Sequence, residues 1–235
     1  MRSMGSPVFH DGAVRGVPQR GYMSRAVLRS RTPKLLGIGA LFSGAALVTH
    51  ILTGVSLRLG LAAAGGLLLL GLGSLWKRSS SDQRFWLGRR AKVGVLAGLA
   101  ATAGYDTSRF VLSQFETAPY NPFEVIRVFG TLLAGSSAPS TPMWIAGTSF
   151  HVLNGTGFGA AFSLLFKSHG VLKGTAWGLF LELFQLTLYP GWLDIRFYRE
   201  FMQISVCAHI VYGALLGHLC RQGLRREVRL VERRR

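Results

Sequence analysis

Residues 57–76 read LRLGLAAAGGLLLLGLGSLW: twenty residues whose one charge, Arg58, sits at the edge. A bilayer core is about 30 Å thick, and a helix rising about 1.5 Å per residue crosses it in about 20 residues. This stretch fits one crossing. It is almost featureless Leu, Ala and Gly, so its expected surroundings are lipid.

Working outward, apolar stretches recur at 35–52, 92–113, 143–166, 171–190 and 203–220. The 235-residue chain is 49% hydrophobic and 16% charged, with mean hydropathy +0.32. Soluble chains carry about 25% charged residues. The composition excludes intrinsic disorder over most of the length and a lone soluble domain with a tail. The expected fold is all-α: a polytopic helical membrane protein of six spans, with a tight Gly-rich core made by spans three to six.

The formal net charge is +17, from 27 basic and 10 acidic residues. Such a balance often points to nucleic acid, but its distribution argues against that partner. Of the 27 basic residues, 22 lie in 1–34, 77–92, 167–173 and 221–235, alternate ends of the spans. The other ends hold Arg58, Arg127, Arg196 and Arg199, and Arg109 lies inside a span. Basic residues stay cytoplasmic during insertion. The expectation is an integral membrane protein with both termini cytoplasmic, in the bacterial inner membrane, its basic face against anionic lipid headgroups.

Residues 1–33 form a basic cytoplasmic arm. It has no apolar core, so it is not a secretory signal. Its single acid, Asp11, leaves an organellar transit peptide as the alternative. Residues 34–220 form the membrane domain, 221–235 a basic tail, and 77–91 a basic loop. Between spans three and four, Asn121-Pro122-Phe123-Glu124 is a helix start, with capping Asn, Pro and then acid. Phe123, Ile126, Phe129 and Leu133 follow at helical spacing, so about 121–135 is expected as an amphipathic interfacial helix. The two cysteines, Cys207 and Cys220, share one span and cannot bridge within a straight helix.

Spans four and six share the pattern His-x-x-x-Gly-x-x-x-Gly, at His151, Gly155, Gly159 and at His209, Gly213, Gly217. Span three carries Gly94, Gly98, Thr102 and Asp106, and span five Gly174, Gly178 and Glu182, all at intervals of four. This reads as two hairpins related by parallel duplication. Small residues four apart let helix backbones approach where hydrophobicity supplies no attraction between helices.

Charged groups in hydrocarbon are expensive, so they persist when paired or functional. Asp106, His151, Glu182 and His209 all fall roughly 9–12 Å below the outer face, at about 1.5 Å per helical residue. Arg109, Asn154, Gln185 and Tyr212 share their faces, three residues further on. The plain reading is structural: Asp106 pairs with Arg109, and the rest hydrogen-bond helices together. Sharper readings give the layer chemistry. His151, Glu182 and His209 are candidate ligands for a divalent metal. His151 and His209 are candidate axial ligands of a haem. Asp106 and Glu182 with the histidines are a candidate proton or ion path. No hydroxyl or thiol sits in a nucleophile motif. His10, His50, His169 and His218 lie in the arm or near span ends, where snorkelling or solvent contact explains them.

Ala101-Thr102-x-x-Tyr105-Asp106-x-x-Arg109, with His151-x-x-Asn154-Gly155-x-x-x-Gly159, resembles multispanning bacterial membrane proteins with no assigned activity. That resemblance implies no residue roles. The expected function is a non-catalytic integral subunit or accessory protein of a larger membrane complex, with other membrane subunits as partners. The alternatives are a membrane-embedded metal or haem protein and a proton- or ion-coupled transporter.

Overall fold

The computed structural model describes residues 31–232, and of these the side chains of 31–226. The basic arm lies outside the described residues save for its last three, as do the final residues of the tail. Among the described residues the structure is helical throughout, in eight helices: α1 (Thr32–Gly39), α2 (Phe42–Thr53), α3 (Leu57–Arg78), α4 (Ser81–Ser113), α5 (Glu124–Ala134), α6 (Ser140–Leu165), α7 (Val171–Trp192) and α8 (Tyr198–Glu232).

Two stretches are long and apolar enough to cross a membrane: Leu57–Arg78, and Tyr198–Arg226 within α8. The α1–α2 pair, bent by 51°, makes a third if it counts as one span. The sequence expected six. The helices that fall short, α4, α6 and α7, carry glycines and the polar residues of the expected layer on their inner faces, which lowers their hydropathy.

Several boundaries differ from expectation. The first apolar stretch is two helices, because the chain tightens at Ala40–Leu41, where the Leu41 N–H donates to Ile38 O at 3.0 Å. Gly54 then ends α2 with φ +72°, a left-handed cap that favours glycine. The expected basic loop 77–91 is mostly helix. Ser80 and Gln83 form a reciprocal capping box that starts α4 beside the end of α3, and it had not been read in the sequence. Asn121 does not cap α5 directly. Its Oδ1 accepts from the Phe123 N–H at 3.0 Å, making a turn that feeds a helix starting at Glu124. α8 runs past residue 220 into the expected tail.

Four helices pack centrally. α4 lies against both α6 and α8, and α7 packs along α8. A Cβ on Gly94 would stand 2.6 Å from Gly159 O, and one on Gly98 2.6 Å from Gly155 O. In the other pair, a Cβ on Gly174 would stand 2.8 Å from Gly217 Cα, and one on Gly178 3.2 Å from Gly213 Cα. No side chain fits at these four crossings without moving backbone. α4 meets α8 differently, through alkyl groups: Leu215 lies over Gly104 and Val93 over Gly223.

The remaining helices lean on α6. Gly157 passes Ala40 O, and Phe158 lies over Gly44 of α2. α5 buries Ile126 and Phe129, the latter edge-on to Phe150 with ring centroids 5.0 Å apart. α3 rests chiefly on α2 and buries only Leu57, while Leu67, Leu69 and Leu70 are at least 70% exposed.

Candidate functional site

The four central helices each bring polar side chains to one region. α4 supplies Thr102, Tyr105, Asp106 and Arg109, and α6 supplies His151 and Asn154. α7 supplies Glu182 and Gln185, and α8 supplies Ser205, His209 and Tyr212. The close glycine crossings set the depth at which these faces meet.

The ionisable groups meet as two carboxylate–imidazole pairs. His151 Nε2 lies 3.0 and 3.1 Å from the two Asp106 carboxylate oxygens. His209 Nδ1 lies 2.7 Å from Glu182 Oε2 and 3.0 Å from Ser205 O. An N–H at each of these nitrogens donates to its carboxylate, and the opposite nitrogen of each ring has no partner among the described residues. Carboxylates that orient imidazoles this way set the tautomer and fix the ring's direction.

A polar chain supports the second pair. The Gln185 amide donates to Ser205 Oγ at 2.7 Å, and the Ser205 hydroxyl donates to Glu182 Oε2 at 2.9 Å. Glu182 is 2% exposed, and its Oε1 has no partner. Tyr212 donates to Gly155 O at 2.8 Å, tying α8 to α6.

Tyr105 joins the two pairs. Its ring centroid is 4.8 Å from that of His209 and 5.9 Å from that of His151. Arg109 stacks its guanidinium over Tyr105 at 5.1 Å and over Phe123 at 5.6 Å. Its distance to Asp106 Oδ1 is 3.8 Å, longer than the His151 contact. The expected Asp106–Arg109 pairing is therefore the looser of two. In the sequence Tyr105 figures only within the motif at 101–109, with no role, and Ser205 is not singled out. Their signal is positional: Tyr105 precedes Asp106, and Ser205 stands one turn before His209.

These groups border a cavity of about 470 Å³. Arg109, His151, Asn154, Gln185, His209 and Tyr212 all line it, with Tyr105. Its other walls are apolar: Leu47, Val48 and Ile51 of α2, Phe129 of α5, Phe158 of α6, and Phe180, Phe184 and Leu188 of α7. α2 and α7 flank it and come together at His50 and Trp192, whose ring centroids are 5.8 Å apart.

Among the described residues, no three His, Cys, Asp or Glu side chains stand together as metal ligands. His151, Glu182 and His209 belong to two separate pairs rather than one ligand set. A haem between His151 and His209, one of the alternatives, would meet the Tyr105 ring, which lies against both imidazoles.

A second polar cluster sits at the opposite end of α6. Arg90 is 4% exposed, donates to Phe166 O at 2.5 Å and to His169 Nε2 at 3.0 Å, and stacks over Trp86. It thereby satisfies a carbonyl at the α6 C-terminus, where a cation suits the helix dipole. Burial lowers the Arg90 pKa to about 10. His169, expected in solvent, is instead part-buried. Burial first, and the Arg90 charge second, lower its pKa to about 4.

Comparison with protein-family models, with curated proteins and with solved structures gave no match.

Proposed function

We propose that the chain is an integral membrane protein that binds a small amphiphile inside the bilayer, with its apolar part in the cavity and its polar end at the Asp106–His151 and Glu182–His209 pairs. One observation carries this reading: a cavity of about 470 Å³ with apolar walls and a group of polar side chains in one region. Binding sites for small molecules commonly hold about 300–1,000 Å³, mostly apolar, with a few placed polar groups. Ionisable residues at membrane depth are functional by default. The free nitrogen of each imidazole gives the site an acid–base group.

The proposal includes six spans, counting the bent α1–α2 pair as one and adding α4, α6 and α7 to the two strongly apolar helices. Both termini then lie in the cytoplasm, and the membrane is the bacterial inner membrane. The charge asymmetry of the helix ends supports this placement. Service as a subunit of a larger complex is the second reading. Its support is the composition and the basic arm, and it makes no use of the cavity.

The test is a comparison of purified wild-type protein with Val48→Trp, which fills the cavity from α2. Organic extraction followed by mass spectrometry should recover an amphiphile enriched in the wild type and depleted in the variant. Equal recovery from the two overturns the reading.

A further inference from the structure

The cavity reading leaves the polar end of its occupant open, and one side chain narrows it. Asn154 is 8% exposed and lines the cavity. Its Oδ1 is buried without a hydrogen-bond partner, and its amide nitrogen makes no hydrogen bond among the described residues. Four other polar side chains on the cavity wall each have a partner: His151 on Asp106, His209 on Glu182, Gln185 on Ser205 and Tyr212 on Gly155. A buried amide left unpaired carries a desolvation cost, which an occupant able to bond it would recover.

An amide presents an acceptor and a donor side by side, whichever way it is turned. Its complement is one small group that both gives and takes a hydrogen bond. With each imidazole N–H on its carboxylate, the free nitrogens of His151 and His209 are acceptors, and a hydroxyl also supplies the donor they lack. Charge argues in the same direction. The surrounding groups are two carboxylates, Asp106 and Glu182, and one guanidinium, Arg109, which is already stacked on two rings. An anionic head would lie near both carboxylates, which stand behind the lining histidines. An ammonium head would satisfy Asn154 Oδ1 and leave the amide N–H unpaired.

We infer that the occupant is a hydroxyl-headed amphiphile, a single apolar chain or ring system ending in a neutral alcohol, held through Asn154. This rests on the cavity reading above. The apolar walls from α2, α5 and α7 take the hydrocarbon part, and the Asn154 amide takes the hydroxyl as both donor and acceptor.

The test uses the full chain in mild detergent and native mass spectrometry with four sixteen-carbon probes: hexadecanol, hexadecane, hexadecylammonium and hexadecanesulfonate. Hexadecanol should bind tightest. Asn154→Leu, close in size and without polar atoms, should weaken hexadecanol by about tenfold and leave hexadecane unchanged, in line with the loss of one or two neutral hydrogen bonds. Asn154→Ser, which keeps a donor and an acceptor, should retain part of the preference. Should the leucine variant fail to fold, the four-probe ranking on wild type and the serine variant still decide. If hexadecane or either ionic probe matches hexadecanol, the hydroxyl assignment is overturned while the cavity reading stands. If no probe binds wild type more tightly than Val48→Trp, the cavity reading itself fails.

Discussion

Glu182 and His209 face each other across the α7–α8 pair with Oε2 2.7 Å from Nδ1, as Asp106 and His151 do across the α4–α6 pair at 3.0 Å. In each case the acid comes from the first glycine-bearing helix and the histidine from the second. The two sites differ in cover. The Glu182 side chain is 2% exposed and that of Asp106 is 29%. A buried carboxylate depends more on its partner, because water does not replace it.

Removing His209 should therefore destabilise more than removing His151. His209→Leu leaves the Glu182 carboxylate without its imidazole and should cost about 3–5 kcal/mol. Glu182→Leu with His209→Leu should recover most of that loss, since a buried pair replaced by apolar groups is often neutral. Unfolding by denaturant titration in detergent reads both. Equal losses for the His151 and His209 variants would contradict the burial argument.

The glycine crossings give a contrast between positions of one residue type. Gly98→Val and Gly174→Val set side chains against facing backbone and should each lose at least about 2 kcal/mol, or fail to accumulate. Gly66→Val and Gly71→Val add a side chain where nothing lies within 4 Å and should change stability little. Thermal melting of the four variants tests the pattern.

His169 predicts a pH response. Its pKa in the folded protein, about 4, lies below its ordinary 6.5, so the unfolded chain binds the extra proton in that window. Its contribution to stability is complete above about pH 6.5 and is lost as pH falls toward 4. His169→Gln should flatten that part of the profile relative to wild type. Melting measured from pH 4 to pH 7.5 on both proteins gives the difference directly.

Sidedness follows from the six-span proposal. In a chain carrying Cys207→Ser and Cys220→Ala, single cysteines at Asp82→Cys and Ser168→Cys should react with a membrane-impermeant thiol reagent only in inverted vesicles. Ser137→Cys should react in intact cells. Labelling of Ser137→Cys and Ser168→Cys from the same side would show that α6 does not cross.

How much of this could be read in the sequence varies with how local each signal is. Leu57–Trp76 declares its helix because twenty apolar residues in a row have few other uses. The break at Ala40–Leu41 carries no proline and depends on how α1 and α2 seat against α6, so composition alone missed it. The start of α4 lies in a local signal, Ser80-x-x-Gln83, hidden by the basic residues around it. The site was visible as residue types at a common depth, and much less as partners. Asp106 has Arg109 one turn away on its own helix, which favoured that pairing on paper. The structure seats it closer to His151, on a helix that begins 27 residues after α4 ends. Tyr105 and Ser205 have ordinary side chains for a membrane helix, and only the folded arrangement puts Tyr105 against the two histidines and Ser205 between Gln185 and Glu182.

The glycine crossings also have a mechanical consequence. Where backbone touches backbone, a helix has no side chains to rearrange, so α4 with α6, and α7 with α8, each behave as a stiff block. Where α4 meets α8 at Gly104 and Gly223, the contacts of the seam are leucine and valine side chains, which change rotamer at little cost. Any breathing of the protein is channelled to that seam, and Tyr105 stands beside it with one imidazole from each block against its ring. A change of contents in the cavity would be felt there first, as a small shear between two rigid bodies.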